Sequence, residues 1–446
     1  MFRSLGERTK VKTTARQRKK RTYQSVVWGG PHQSTMDENA RLQSRTVVKK
    51  GTLQLRFDVP LLLVVLTLII FGLLMVFSAS YDYSFSWYGN PNTILFRQLM
   101  WLGFGLAVMV TLIFLDYHLL GRFAVPVMVF TVALLLVVLF VNEVLNGASR
   151  TLYRGSIQPS ELAKLVIVLY LSVWLNARRD QLGDINFGLI PLAAILGVLG
   201  GLIVVQPDLS AVVTIMALGG FMFFLAGGEM RQIAILLVVA VGIGWLVVQF
   251  HPTGSERIGD YMAGLKDPTL GSYHVQRALE AFANGGWFGV GIGRATTKVT
   301  GLPVPPTDSI FAVVGEEAGV FGSIGLVILY SLLLWRGITI ARHAPDEMGA
   351  LLAAGLSAWI CLEAFINMSV IVSLLPFAGN ALPFISAGGS NLVASLAAIG
   401  IILNISRVSV RKREEKGKLF DAVVDLRRWN RRRRLSGARN TASARK

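Results

Sequence analysis

In the stretch PPTDSIFAVVGEEAG, residues 305–319, three carboxylates (Asp308, Glu316 and Glu317) fall where an apolar run is beginning. An acid in such a place can cap a helix start, balance a cation, or take a proton from a reacting group. Thr307 or Asp308 is placed to cap a helix beginning near Ser309. Glu316 and Glu317 come about two turns later, where an unpaired acid is costly and a polar cavity, a cationic partner or protonation is needed. On one continuous helix the step from Asp308 to Glu316 amounts to roughly 80° of rotation, so these two would share neighbouring faces while Glu317 points nearly opposite Asp308.

Two other stretches carry polar chemistry at the ends of apolar runs. In RGSIQPSELAKL, Pro159 suits a first helical turn, Glu161 complements the helix dipole, and Glu161 and Lys164 share a face at i,i+3. The pair either stabilises the helix start or lines a polar cavity, because a lysine near the centre of a span costs roughly 2.5–3.5 kcal/mol unless it meets a partner or water. If the two act as a pair, a charge swap should rescue more than either single reversal. In VVQPDLSAV, Gln206, Pro207 and Asp208 form a tight turn, with Asp208 placed to cap the next helix.

The elements that position these groups are membrane helices. The chain is 53% hydrophobic with a net charge of +18, and runs long enough to cross a ~30 Å hydrocarbon core recur from Val59 to about Ser406. The expected fold is an all-α polytopic membrane protein with ten spans, near 59–79, 94–115, 121–141, 161–176, 188–205, 209–226, 233–250, 310–335, 350–375 and 390–406. Residues 1–56 and 407–446 are basic tails of net +11 each, flanking a body (57–406) of net −4. Basic tails around an even number of spans place both ends in the cytoplasm, and Arg122, Arg178, Arg179, Arg231, Arg336 and Arg342 fall in loops on that same side. The tails lack the interleaved aromatics of a nucleic-acid module, so no nucleic-acid partner is expected; they read as topology signals resting on anionic lipid.

With this topology the three polar stretches gather on the outer side. The segment 251–309, between the seventh and eighth spans, is far longer than the usual connection of about 4–6 residues, which marks it as functional. Within it YHVQRALEAFANGGWFGVGIG joins an amphipathic stretch (Val275, Ala278, Leu279, Phe282) to a Gly/aromatic segment suited to the membrane surface and to packing on the bundle. Its glycines lack the preceding strand and the GK[ST] of a phosphate loop; they serve close approach of backbone. No cleavable signal peptide is evident, since a basic stretch precedes the first apolar run. The lone Cys361 can form no intrachain disulfide, and the five histidines show no metal-ligand spacing.

The motifs GASR (147–150), QPSELAK (158–164), QPDLS (206–210), ANGGWFGVGIG (283–293), LPVPPTDSIFAVVGEEAGVFG (302–322) and LPFISAGGSNLVASLAAIGIILNISR (382–407) resemble, in order, those of the SEDS family (shape, elongation, division and sporulation). The resemblance runs from Arg56 to Arg407. It implies a peptidoglycan glycosyltransferase that polymerises lipid II, an undecaprenyl-pyrophosphate-linked disaccharide peptide, at the outer face of the bacterial cytoplasmic membrane. The implied partners are a class B penicillin-binding protein and other divisome or elongasome proteins.

By the same resemblance Asp308 is the essential carboxylate, a base for the attacking sugar hydroxyl. Glu161 and Lys164 correspond to the acid and lysine of the QPSExxK motif. Arg150, Lys164, Arg277, Arg294 and Lys298 are the outward cations available to meet the pyrophosphates, with Arg150 and Lys164 preferred because they lie in the matched motifs. Gln158, Ser160, Gln206, Asp208, Thr307 and Glu316 complete the expected substrate contacts, and a divalent cation, Mg or Mn, could share the phosphate charge. The chain departs from the family pattern at Val304, Pro306 and Ser309, where Glu, His and Phe are common, and at Thr151 and Ala387, where Trp and Tyr are common. The competing activities are a lipid-precursor flippase, which would need functional polar residues at both faces, and a non-catalytic division scaffold.

Overall fold

The computed structural model describes residues 57–141, 158–250 and 252–442. Arg150 and the N-terminal tail lie outside the described residues. The first part of the bundle comprises α1 (Val59–Tyr88), α2 (Thr93–Phe114), α3 (Tyr117–Arg122), α4 (Ala124–Val141), α5 (Pro159–Ala177), α6 (Ile190–Val205), α7 (Leu209–Leu225) and α8 (Met230–Phe250). Then come α9 (Pro252–Lys266), α10 (Tyr273–Gly285), α11 (Ile310–Glu317), α12 (Gly319–Arg342), α13 (Glu347–Ile371) and α14 (Gly389–Ala442). No strand occurs among the described residues.

Helix α1 shows why these sequences need lipid. Its buried stripe of Leu61, Val65, Leu68, Met75 and Ala79 is apolar, and so is the exposed stripe of Leu63, Leu66, Ile70, Leu74 and Phe77. A helix apolar on both faces is stable only where its outer surroundings are also apolar. Seven helical segments of the described residues are long and apolar enough to cross a membrane: α1, α2, α5, Ile185–Val205, α12, α13 and Gly389–Glu415 of α14. Three shorter apolar helices, Ala124–Phe140, Leu209–Leu225 and Met230–Leu246, occupy the other expected runs. The chain is therefore a multi-pass membrane protein. Helix α13 lies deep in the bundle and packs against α5, α7, α12 and α14.

The structure alters the expected eighth span. Residues 310–335 do not form one helix; α11 stops at Glu317 and α12 restarts at Gly319, whose φ of +68° is left-handed backbone that favours glycine. The break follows from packing, since a Cβ on Gly319 would lie 2.4 Å from the backbone nitrogen of Gly289. Glu316 and Glu317 thus occupy the last turn of a short helix, and the residue at its N-cap is Ser309. Asp308 precedes that helix, so the rotation expected between Asp308 and Glu316 does not apply. The segment between α8 and α11 is itself structured: the apolar side of α10, including Val275 and Ala278, is buried, and α10 packs on α11.

Candidate active site

The backbone around Asp308 is held from outside its own segment. The carbonyl oxygen of Pro306 accepts from the Ala387 N–H at 2.8 Å, that of Thr307 from the Ser386 hydroxyl at 2.7 Å, and that of Asp308 from Asn367 Nδ2 at 3.1 Å. Ser386 also accepts from the Leu382 N–H at 2.8 Å, and Gln98 on α2 clasps the same turn through the Ser386 carbonyl and the Gly388 N–H. Val304, just upstream, has a φ of +43°, a conformation costly for a β-branched residue. The Thr307 and Asp308 side chains are half-buried. A main chain pinned at successive carbonyls fixes where the Asp308 carboxylate can reach.

The QPSELAK and QPDLS stretches meet through Asp208. Its Oδ2 accepts from Gln158 Nε2 and from the Ser160 hydroxyl, both at 2.8 Å, while its Oδ1 accepts from the Ala211 N–H and the Ser210 hydroxyl. Asp208 thus caps α7 and ties it to the start of α5. Gln206 turns away from this cluster, its Nε2 donating to the Leu135 carbonyl of α4 at 2.8 Å. The Gln158 N–H donates to the Ser390 hydroxyl at 3.3 Å. Residues 386–390 therefore touch both the Thr307 backbone and the start of α5.

Behind this lies a buried charge cluster. Lys164 is 1% exposed, and its ammonium donates to Glu161 at 2.8 Å and to Glu363 of α13. Asn391 of α14 donates to the other oxygens of Glu161 and Glu363, at 2.9 and 3.3 Å. Removing each ion from water costs several kcal/mol, which only close pairing and full hydrogen bonding offset. From Glu363 a chain of hydrogen bonds returns to the loop. Its carbonyl accepts from Asn380 Nδ2, the Asn380 carbonyl accepts from Asn367 Nδ2, and Asn367 donates to Asp308.

The two glutamates after Asp308 are used differently. Glu316 accepts from the N–H groups and hydroxyls of Thr296 and Thr297, and Glu317 accepts from Ser78 of α1 at 2.5 Å and from Lys298 at 2.8 Å. Their backbone carbonyls accept from Val290 and Gly291. Gly289 sits so close that a Cβ there would lie 2.2 Å from the Glu317 oxygen, as its place in a segment of closely approaching backbone requires. Glu316, expected as a substrate contact, has its carboxylate taken up by the loop threonines.

The expected cations divide likewise. Arg277 is held by Glu280 and by the carbonyl and hydroxyl of Thr300, Lys298 by Glu317 and Ser78, and Lys164 by its two acids, while Arg294 is exposed. On α10, His274 stacks on Phe377 at 4.2 Å, and burial together with the nearby Arg257 holds its imidazole below its usual pKa. Among the described residues no three His, Cys, Asp or Glu side chains converge as a metal site.

Sequence reasoning missed Glu363, Asn367, Asn380 and Asn391. The signal was present in WICLEAFIN, where an acid and, four residues later, an amide interrupt an apolar run on one helical face. An apolar groove of about 410 Å³ lies between α2, α4, α5 and α14, lined by Trp101, Leu112, Phe123, Leu162, Val166 and Ile401, with Gln158 and Ser390 also on its wall.

The family model described as "Cell cycle protein", for FtsW, RodA and SpoVE, matches residues 59–411. The chain is 34% identical over 355 residues to the probable peptidoglycan glycosyltransferase FtsW of Geobacter metallireducens, covering 79% of this chain and 95% of that protein. It is 34% identical over 356 residues to stage V sporulation protein E of Bacillus subtilis, covering 79% and 97%. Among solved structures, a chain described under "Structural coordination of polymerization and crosslinking by a peptidoglycan synthase complex" aligns with a TM-score of 0.66 at 28% identity, over 79% of this chain and 98% of that one. The rod shape determining protein RodA of Thermus thermophilus aligns with a TM-score of 0.58 at 27% identity, over 79% and 97%.

Proposed function

Because the chain belongs to the FtsW, RodA and SpoVE family of cell-cycle proteins, we propose that it is a peptidoglycan glycosyltransferase that polymerises lipid II into glycan strands at the outer face of the bacterial cytoplasmic membrane. Both basic tails then lie in the cytoplasm, the three shorter apolar helices complete ten spans, and a class B penicillin-binding protein is the partner. The observation that supports the site assignment is the pinning of the Pro306, Thr307 and Asp308 carbonyls by three outside donors, which fixes the backbone from which the half-buried Asp308 side chain projects.

The reaction joins an acceptor hydroxyl to the donor's anomeric carbon. As the new C–O bond forms, the bond to the pyrophosphate breaks, and the hydroxyl proton must leave. Asp308 takes that proton; a positioned base typically contributes 10²–10⁴-fold. Attack opposite the leaving group inverts an α-linked donor to a β-linked product. The departing pyrophosphate needs positive charge. Lys164, enclosed by two carboxylates, orders the start of α5, leaving Arg150 and Arg294 to meet the phosphates. The apolar groove between α2, α4, α5 and α14 suits the polyprenyl tail, with Gln158 on its wall and the Asp208 cluster alongside.

The test is glycan-strand formation from lipid II by the purified chain with its penicillin-binding partner. Asp308→Asn keeps size and hydrogen-bonding capacity but cannot take a proton. Loss of polymerisation with an unchanged Tm supports the base assignment; near-wild-type polymerisation refutes it.

A further inference from the structure

Asp308 is held through its main chain by a residue that also belongs to another network. Asn367 lies on α13, is 1% exposed, and spends both hydrogens of its amide, one on the Asp308 carbonyl at 3.1 Å and one on the Asn380 carbonyl at 2.5 Å. One turn earlier on the same face of α13, Glu363 reaches the Lys164 ammonium with its carboxylate and receives Asn380 Nδ2 on its carbonyl at 3.3 Å. One rigid helix therefore holds both the charge cluster at the start of α5 and the loop that carries Asp308. The other donors to this loop, Ser386 and the Ala387 N–H, come from the neighbouring turn rather than from the bundle's interior.

We infer that Asn367 is a positioning residue for the glycosyl-transfer step, with Asn380 as its brace: it sets the height of Asp308 relative to the substrate bound over α5. This inference rests on the reading of Asp308 as the base. Its physical basis is that Asn367 is the α13 side chain joined to the Asp308 main chain, and that a misplacement of about 1 Å from a residue outside the chemistry can cost roughly 10²-fold. The Oδ1 of Asn367 is buried without a hydrogen-bond partner, a placement that costs stability. Packing alone would favour an apolar residue there. The amide is explained by its two donations.

Asn367→Leu keeps the branching of the side chain and removes both donations. In polymerisation by the full-length protein with its partner, kcat per folded protein should fall by roughly 10- to 100-fold, while KM for the lipid-linked donor stays within about two-fold; Tm falls modestly because two carbonyls lose their donor. Asn367→Ser, which keeps one shorter donor, should lose less and is the variant to read where the leucine protein is not folded. On an Asp308→Asn background, Asn367→Leu should add no further loss, because it acts through the residue already disabled. Unchanged kcat in a folded variant overturns the inference, as does a loss explained wholly by a raised KM or a reduced folded fraction, or a full further loss on the Asp308→Asn background. If Asp308→Asn itself polymerises normally, the base reading fails first. If Asp308→Asn is inactive while both Asn367 variants are normal, only the positioning role fails.

Discussion

Asp308 and Glu316 are close in sequence, and different atoms tie them to their neighbours. At Asp308 outside donors take the backbone carbonyl, as they do at the two residues before it, and the side chain stays half-buried. At Glu316 the side chain itself is consumed by Thr296 and Thr297, and only 1% of the residue is exposed. At Asp308 it is the main chain that neighbouring segments hold, whereas at Glu316 the carboxylate itself serves as the anchor. The same stretch of acids thus divides into one held through its backbone carbonyl and two whose carboxylates hold the segment 289–301 onto α11.

The sharpest break in that comparison is a pair of isosteric amides. Asp308→Asn should cost roughly 10²–10⁴-fold in polymerisation rate with little change in Tm. Glu316→Gln should do the reverse. Its amide group faces donors where an acceptor is required, so about 1–3 kcal/mol of stability should be lost, while folded protein keeps its rate within about two-fold. Equal rate losses in the two variants at equal folding would erase the distinction.

Between these extremes stands Lys164, whose partners are both acids. Lys164→Met leaves two buried carboxylates without their cation and should destabilise the fold by about 3–5 kcal/mol, read as a fall in the midpoint of denaturant unfolding. Its structure also revises the expectation that Glu161 and Lys164 can exchange charges. A glutamate at 164 would face Glu363, so Glu161→Lys with Lys164→Glu should restore little until Glu363→Gln is added. Full rescue by the two-residue swap alone would show that the Glu363 contact contributes nothing.

Periodicity and length made the apolar runs legible in the sequence, because a lipid-facing helix declares itself by residue type alone. Motif position made Asp308, Glu161, Lys164 and Asp208 legible as well. The break at Gly319 was not, because it depends on where the Gly289 backbone lies, and no local pattern encodes a contact between segments that distant. Glu363 and Asn367 were hidden for a related reason. An acid in an apolar run signals a partner but does not name it, and the partner here is a lysine 199 residues earlier in the chain. The spent carboxylate of Glu316 was equally invisible, since its ligands are threonines with no charge to advertise them.

The smallest expected effect concerns an acid near the α5 terminus opposite Glu161 and extends the comparison to pH. Asp346 caps α13 through the Gly349 N–H at 2.7 Å and accepts from the Tyr117 hydroxyl at 2.6 Å, with His118 Nε2 2.8 Å away. Burial works to raise its pKa, but the Tyr117, Gly349 and His118 hydrogen bonds outweigh it and hold the carboxyl below its ordinary value. A carboxyl lowered in the folded state stabilises the fold above its unfolded pKa, about 3.9, and that contribution is lost as pH falls through the lower folded value. Asparagine caps a helix about as well as aspartate, so Asp346→Asn removes the charge and largely spares the cap. At pH 7 the variant should melt slightly below the wild type, by an amount corresponding to about 1 kcal/mol or less because the group is partly exposed. Below about pH 4 the two melting curves should converge. A gap that stays constant from pH 7 down to pH 3 would mean that the charge of Asp346 contributes nothing, and that its role is the cap alone.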